Sequence, residues 1–599
     1  MAKSFDRITS EDEILEVFKT MKAEAEEKVK DRAKTVKRNR MVYMGNHYLR
    51  SSDDGYEIDD RAPSWRLRVT RDLVGPMVET LRPILMRGVP KYEIEADFGW
   101  MQSVIVSDDG QEMPVPDLTD GQLAQRLESI LEAEHDFRGE GIEVAKLLCD
   151  VLVGGTAYRK VIYNRERNRV ELPILDFENV LPDPYGTMTD FADHKYVIVK
   201  TEMDAADIER RFGVKEEDFG SDDEMTEGNG LVRRVTSFMR GKQTNMTTDE
   251  KWKRKRYPVY ELFYREASPE LGIQSDKPIK SLKYPSGRVT VVINDKKVVY
   301  DKPNHYWHGE FPVVCYVGSP MPHQLFGKSD VDSLVPIQNA TNVLYNMVIA
   351  NAMLSANNQW IYEEGALAAE EITNQPGLMI PVSPGKMGAI QRLDPARLPS
   401  DVFNMVKELE QFGQSDITGV QDVLMGREPS ANSSGVLANT LQSAALTRQG
   451  FKMQSLDQSY RRQARLELGL VQQFADFQDP RYLKGEGLRR MDMGEWMMWS
   501  EAMRDLVYDV KVESQSDIPH NLTARLNFAM QLLQTGVYDI TEFLNFTGLK
   551  VRPELKDMLV QQGGGAATQG SGGAGQSQGG LTGQPNLGAG VPQQALPAI

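Results

Sequence analysis

Cysteine is nearly missing from this chain: two in 599 residues, Cys149 and Cys315. Two thiols are too few for a disulfide framework, while a chain this long can bury a large core. A basic run followed by an apolar run is also missing from the start. There "MAKSFDRITSEDEILEVF" is charged throughout, and the expectation is maturation in a reducing cytoplasm. The motifs of common hydrolases carry no weight here: there is no His-Glu-x-x-His, and the Gly-x-Ser-x-Gly at 575–579 lies in the low-complexity Gly/Ser/Gln-rich end, without the strand and helix that make an elbow. Carboxylates are plentiful, but no pair stands in a context that marks a catalytic dyad. Excess positive charge is missing too. The 87 acidic and 70 basic residues give a net charge of −17, which argues against a sequence-specific DNA binder. It does not exclude a protein past which DNA slides without sticking.

One stretch lacks charge of either sign. "SLVPIQNATNVLYNMVIANAMLSANNQWIY" runs from Ser333 to Tyr362, three residues after Gly327-Lys328-Ser329. The Gly-Lys-Ser suggests a phosphate loop, but the position five before Gly327 is Pro322, a poor member of a cradle built from consecutive N–H groups. The uncharged run suggests a membrane helix, but it holds six Asn and two Gln, which are costly in hydrocarbon. What remains is a helix with protein neighbours. Pro336 suits a first turn, Ser329 or Asp330 suits a cap, and Ile337, Thr341, Leu344, Val348 and Ala352 follow at helical spacing. Asn339, Asn342 and Asn346 fall on another face. Close packing against copies of itself and burial inside a large monomer are both open on these residues.

The length prior suggests roughly four domains. Glu11 to about Tyr48 reads as one long helix, and "VTRDLVGPMVETLRPILMRG" as a second, kinked or broken by Pro76 and Pro83. Gln122–Leu152 reads as a helix interrupted near Gly139 and Gly141. From Gly154 to Gly318 the chain turns α+β, with antiparallel pairing dominant. "HKYVIVKTEM", "YPVYELFYRE" and "FPVVCYVG" read as strands, "DAADIERRFG" as a short helix, "NVLPDPYG" as a turn, and "RVTVVINDKKVVYD" as a hairpin turning at Asn294-Asp295. Residues 358–399 suggest short strands ("QWIYEEGAL", "GLMIPV", "GAIQRLD") around a small helix. "DVFNMVKELEQF" is helical, "GREPSANSSG" (426–435) a polar loop, and a long helix then runs to about Phe477. Two further helices are expected in "LTARLNFAMQLLQTGVYDITEFLNFTGL". The Gly/Ser/Gln-rich end reads as disordered.

Candidate chemistry is sparse. His305, His308, Cys315 and His323 lack any paired Cys-x₂-Cys element, so no metal and no cofactor are expected. "KWKRKR" (251–256) reads as a solvated loop before a strand, although it has the charge to touch phosphates. Arg448 with Lys452, and Arg461 with Arg465, are one-turn pairs that read as solvated or salt-bridged. Asn245, Asn432 and Asn521 match glycosylation acceptors by chance, with no secretion signal. The residues point to a structural or assembly protein rather than an enzyme.

The order of these elements resembles the portal (head-to-tail connector) proteins of tailed bacteriophages, of the larger podovirus-like type. The resemblance spans about residues 30–545. It rests on "RAPSWRLRVTRDLVGPMVETLRPILM", on "ILDFENVLPDPYGTMTDFADHKYVIVKTEMDAADIERRFG", on "GVQDVLMGREPSANSSGVLANTLQSAALTRQ", and most specifically on "HGEFPVVCYVGSPMPHQLFGKSDVDSLVPIQNATNVLYN". It implies an α+β, predominantly helical portal fold in a ring. Residues 1–153 would be the N-terminal helical part of the wing, 154–328 its α+β part, 329–357 the first stem helix, 358–399 the clip and 400–425 the second stem helix. The tunnel loop would be 426–435, the long wing helix 436–480, a helical crown 481–560, and the disordered tail 561–599.

The resemblance also implies roles. A homo-dodecamer at one capsid vertex, made in the host cytoplasm, would meet scaffolding and major capsid proteins and dock the large terminase. It would pass double-stranded DNA non-specifically and later hold the head–tail adaptor, with no membrane involved. Arg427, Glu428, Ser430, Asn432 and Ser433 would face the channel. Asn339, Asn342 and Asn346 would lie between subunits, and Glu363, Glu364, Glu371 and Lys386 would face terminase or adaptor. The competing expectations are a nucleic-acid-processing packaging enzyme and a non-ring scaffold or tail component.

Overall fold

The computed structural model describes residues 5–52, 55–59, 61, 68–86, 91–96, 104–106, 112–114, 120–220, 255–265, 283–356, 359–362, 385, 390–393, 401–413, 435–475, 508–513 and 529–530. The chain divides into two compact units, Met1–Gln515 and Ser516–Ile599. The second contributes only residues 529–530 to the described set. The first has one dominant core instead of the several domains its length suggests, with members from Phe5 to Val510.

Helix α1 is Glu11–Tyr43, and its buried stripe of Ile14, Phe18, Ala25, Val29, Ala33 and Val36 follows the helical period. Of the kink or break expected at Pro76 and Pro83, the break does not occur: helix α2 is continuous over Val74–Met86. Asp72 Oδ1 caps it by accepting the N–H groups of Val74 and Gly75 at 3.0 and 3.1 Å. Pro76 falls in the first turn, where no N–H is needed, and Pro83 falls in the last turn, where it removes a single bond to the Glu79 carbonyl. Helices α3 (Asp120–Arg138) and α4 (Glu140–Gly154) are separated at Gly139, whose φ of 66° ends the first helix.

The α+β part holds two main sheets. In the smaller, Thr156–Lys160 lies between Val313–Val317 and Ile174–Leu175, all antiparallel. The larger is a five-stranded antiparallel meander of Val180–Pro182, Tyr196–Asp204, Arg256–Tyr264, Arg288–Ile293 and Lys297–Pro303. Its last hairpin turns at Asn294 and Asp295, which have φ of 48° and 56°, as the sequence predicts. Side chains alternate across this sheet. Tyr260, Leu262 and Tyr264 join the main core, while Tyr257 and Val259 form a small second core. That second core includes Ile208 of α5 (Ala205–Phe212) and Phe219 of α6 (Glu216–Phe219).

Among the described residues the long helices that follow are α7 (Asp330–Ala356), α8 (Asp401–Gln411) and α9 (Gly435–Phe474). Gln359–Tyr362 pairs antiparallel with Ile390–Leu393, so the first and last strands expected in 358–399 meet. The middle one, "GLMIPV", lies outside the described residues. Tyr508–Glu513 is a strand within a stretch read from sequence as helical, and it pairs with Lys91–Ala96 over more than 400 residues. Its Tyr508, Val510 and Val512 alternate in the manner of a strand, and Val510 is fully buried.

A buried polar cluster ties α9 to the body. Arg159, in the centre of the small sheet, donates to Glu140 at the start of α4 and to Gln463 Oε1 at 3.2 Å. Gln463 Nε2 donates to Glu467 Oε1 at 2.6 Å, and Arg138 donates to Glu467 Oε2 at 2.7 Å. Tyr316 donates to Gln463, and His135 sits 3.3 Å from Glu467. Burial opposes the Glu467 charge, but Arg138 and His135 hold its carboxyl well below the usual carboxylate range.

Candidate functional site

The uncharged run is most of α7, and its amides have a specific use. Gln338, Asn342 and Asn346 stand four residues apart on one helix face. Beside them runs the segment 68–73. Asn346 accepts from the Val69 N–H at 2.8 Å and donates to the Val69 carbonyl at 2.9 Å. Asn342 accepts from the Arg71 N–H at 3.0 Å. Gln338 donates to the Arg71 carbonyl at 2.6 Å and accepts from the Leu73 N–H at 2.7 Å. The match is geometric: four helical residues rise about 6 Å, and two extended residues span about 6.6 Å. Three amides therefore serve the backbone of residues 69, 71 and 73 in place of a neighbouring strand. Asn342 is 3% exposed and serves the chain's own backbone, Asn346 is half-buried, and Asn339 is exposed.

The start of α7 forms a second feature, at Gly327-Lys328-Ser329. The helix begins at Asp330, so Pro336 lies in the second turn and not in the first, as the sequence suggested. Ser329 Oγ accepts from the Val331 N–H at 3.0 Å, a cap, and donates to the final carbonyls of α4 (Val153 O at 2.7 Å). Arg32 of α1 bridges the two helix ends. It donates to Asp332 at 2.6 Å and to the Gly154 carbonyl at 2.7 Å, with Arg38 and Asn39 also on Asp332 at 3.2 and 2.8 Å. The guanidinium sits where the negative end of α4 meets an acidic first turn, favourable on both sides. From α9, Lys452 pairs with Asp330 at 2.6 Å. The phosphate-loop reading fails here for a structural reason as well. The Gly327 N–H donates to Thr156 Oγ1 at 3.0 Å and the Lys328 N–H to the Ser319 carbonyl at 3.0 Å, so neither points at a ligand.

The outer face of α7 is the third feature. Pro336, Ala340, Val343, Met347 and Ala350 alternate at spacings of four and three, and all are exposed. Val343 is 52% and Met347 56% exposed. Nearby, α8 exposes Phe403 and Met405. A stripe with four-three spacing is the pattern of a helix–helix seam, and its lack of charge suits desolvation.

Against known families, the model described as "Phage P22-like portal protein" matches residues 114–483, more than half of the chain. The chain belongs to the phage P22-like portal protein family. No curated protein matches it. As a portal-family chain it belongs to a structural class, and its place is the virion, at the capsid. Among the described residues, no helix is long and apolar enough to cross a membrane.

The other candidate residues of this portal-family chain fall out as follows. Cys315 is buried mid-strand, and His308 Nδ1 accepts from the Glu310 N–H at 3.0 Å in a tight turn. Burial, with Arg462 and His305 nearby, pushes His308 down to about 4. Among the described residues, no group of three His, Cys, Asp or Glu is arranged to hold a metal. In "KWKRKR", Arg256 opens a strand and pairs with Asp204 at 3.2 Å. On α9, Lys452 belongs to the α7 junction and Arg461 and Arg465 are exposed. Arg427, Glu428, Ser430, Asn432, Ser433, Glu363, Glu364, Glu371 and Lys386 lie outside the described residues. Sequence reasoning passed over Gln338 and Arg71. Its signal was present in the i, i+4, i+8 spacing of 338, 342 and 346, but the partner segment is some 270 residues away.

Proposed function

We propose that this portal-family chain assembles as a dodecameric ring at one capsid vertex, through which the terminase packages DNA and from which DNA is later ejected into the tail. The observation that carries the reading is the uncharged, exposed stripe on α7, from Pro336 to Ala350, beside the exposed Phe403 and Met405 of α8. A second copy of the chain is its occupant: α7 and α8 act as stem helices, and each stem packs on its neighbour's. Asn339, exposed on the same helix, borders that seam. Residues 358–399 form the clip that meets terminase and then the head–tail adaptor, with Glu363, Glu364, Glu371 and Lys386 offered outward. Residues 426–435 line the channel. Scaffolding and major capsid proteins surround the wings. The net charge of −17 per chain is multiplied around a ring and repels phosphate, so duplex DNA moves with few sticking points.

Met347→Glu tests the seam. It places a carboxylate in a desolvated contact in every subunit, and rings are expected to disappear in native mass spectrometry. Met347 is exposed in the single chain, so the variant monomer should keep the wild-type far-UV circular dichroism even though the stabilisation that assembly supplies is lost. Wild-type rings in this variant would sink the assignment of the seam. Arg427→Glu tests the channel. A ring of twelve cations becomes twelve anions, so particles should hold less DNA while the rings stay intact. Unchanged DNA content in purified particles counts against a channel role for Arg427.

A further inference from the structure

The amide ladder does more than satisfy α7. It reads main-chain groups at alternate residues, holding the segment at 69, 71 and 73 whatever its side chains are. The same segment is tied elsewhere. Arg71 Nε donates to Glu410 on α8 at 3.0 Å. Tyr48 donates to the Val69 carbonyl at 2.8 Å and accepts from Asn346 at 2.6 Å. Asp72 caps α2. Residues 68–73 thus touch both α7 and α8, and they connect that pair to the body through Tyr48 and α2. An exposed Arg–Glu pair alone contributes little, so the tie to α8 depends on the backbone being fixed by the ladder.

We propose that residues 68–73 are a strap that sets how α7 and α8 lie against the body, and thereby how many subunits close the ring. Gln338, Asn342, Asn346 and Arg71 are its positioning residues. The proposal rests on the ring reading above. A closed ring of twelve turns each neighbour by about 30°, and one more or one fewer subunit changes that turn by only a few degrees. A stem pair held at four points gives one value of this angle, and a loosened pair gives several.

The test uses the full chain with Asn342→Leu, Val69→Pro and Arg71→Ala. The first deprives the Arg71 N–H and Gln338 of their acceptor. The second deletes the donor to Asn346, and the third cuts the tie to α8 while leaving the ladder. Hydrogen exchange at residues 69, 71 and 73 reads the strap, and native mass spectrometry reads the ring. In Asn342→Leu, exchange at Arg71 is expected to rise at least about tenfold. The single ring mass of the wild type should become a mixture of subunit numbers in all three variants. Arg71→Lys, which keeps a cation near Glu410, should recover most of the wild-type distribution. Where Asn342→Leu fails to fold, Val69→Pro and Arg71→Ala give the same reading. Faster exchange at the strap with one unchanged ring mass overturns this proposal alone. A wild-type chain that forms no ring overturns the ring reading and this proposal with it.

Discussion

Replacing Arg159 by alanine is expected to cost the fold about 3–5 kcal/mol, the range for breaking a buried ion pair from one side. Arg159 is completely buried and donates to both carboxylate oxygens of Glu140, itself 6% exposed. Burial opposes the arginine's charge, yet Tyr316, Glu140 and Glu467 raise its pKa above the ordinary value. Without the guanidinium, Glu140 is left, among the described residues, with a distant contact to Arg138 at 3.8 Å, and Gln463 loses a donor. The urea midpoint of the variant measures the loss. A drop of less than about 1 kcal/mol, the size of an exposed pair, would refute the account. Changing both partners to apolar residues of similar volume, Arg159→Met with Glu140→Leu, should recover much of the loss, because no uncompensated charge remains. The cluster also predicts acid sensitivity. Glu467 has a folded pKa depressed below its unfolded value, so its contribution is fully present above about pH 4.5. It is lost as the pH falls below that point. Glu467→Gln should flatten the acid limb of a stability–pH curve and lower the plateau at neutral pH.

The parts of this architecture governed by local rules were legible in the sequence. Gly139 breaks a helix, Asn294-Asp295 turn a hairpin, and the strands of the meander alternate, because each depends on a few neighbouring residues. The uncharged helix was legible as a helix with protein neighbours, but the exposed stripe at Pro336, Ala340, Val343, Met347 and Ala350 was not, because composition does not tell which face of an uncharged helix the fold covers. What was not legible was pairing at long range. Lys91–Ala96 and Tyr508–Glu513 meet across more than 400 residues, and nothing local to either names the other. The amides of α7 were noticed, but their partner is backbone, which leaves no mark in side-chain composition. The cap at Ser329 was legible and is present, but Pro336 falls in the second turn, where it forgoes the bond to the Asp332 carbonyl, and nothing local to it shows that Arg32, Arg38 and Asn39 hold the Asp332 side chain. Arg32 itself reads as one of many charges on α1, and its role appears only when Asp332 and the Gly154 carbonyl are brought to it.

That junction carries the second large expected effect, at Gly155. Its φ of +79° is left-handed, which costs a side chain about 1–2 kcal/mol. Space is the larger obstacle. A Cβ there would stand 2.5 Å from the Gly327 carbonyl oxygen, 2.7 Å from Arg32 Nη2 and 2.8 Å from the Ser329 nitrogen. Two of these three atoms are backbone and cannot step aside without moving the first turn of α7, and the third is the guanidinium that holds Asp332. Gly155→Ala should therefore destabilise by about 2–5 kcal/mol, conformational cost and overpacking together. Gly139→Ala separates the two contributions. Gly139 has a similar φ of +66°, but a Cβ there meets nothing within 4 Å, so only the conformational cost applies. If the two alanine variants lose equal stability, the close approach of Gly155 to Gly327 is not what holds α4 against α7. If Gly155→Ala loses more and also raises hydrogen exchange at Val331, the clasp formed by Gly155, Gly327, Arg32 and Ser329 is what seats the first turn of α7.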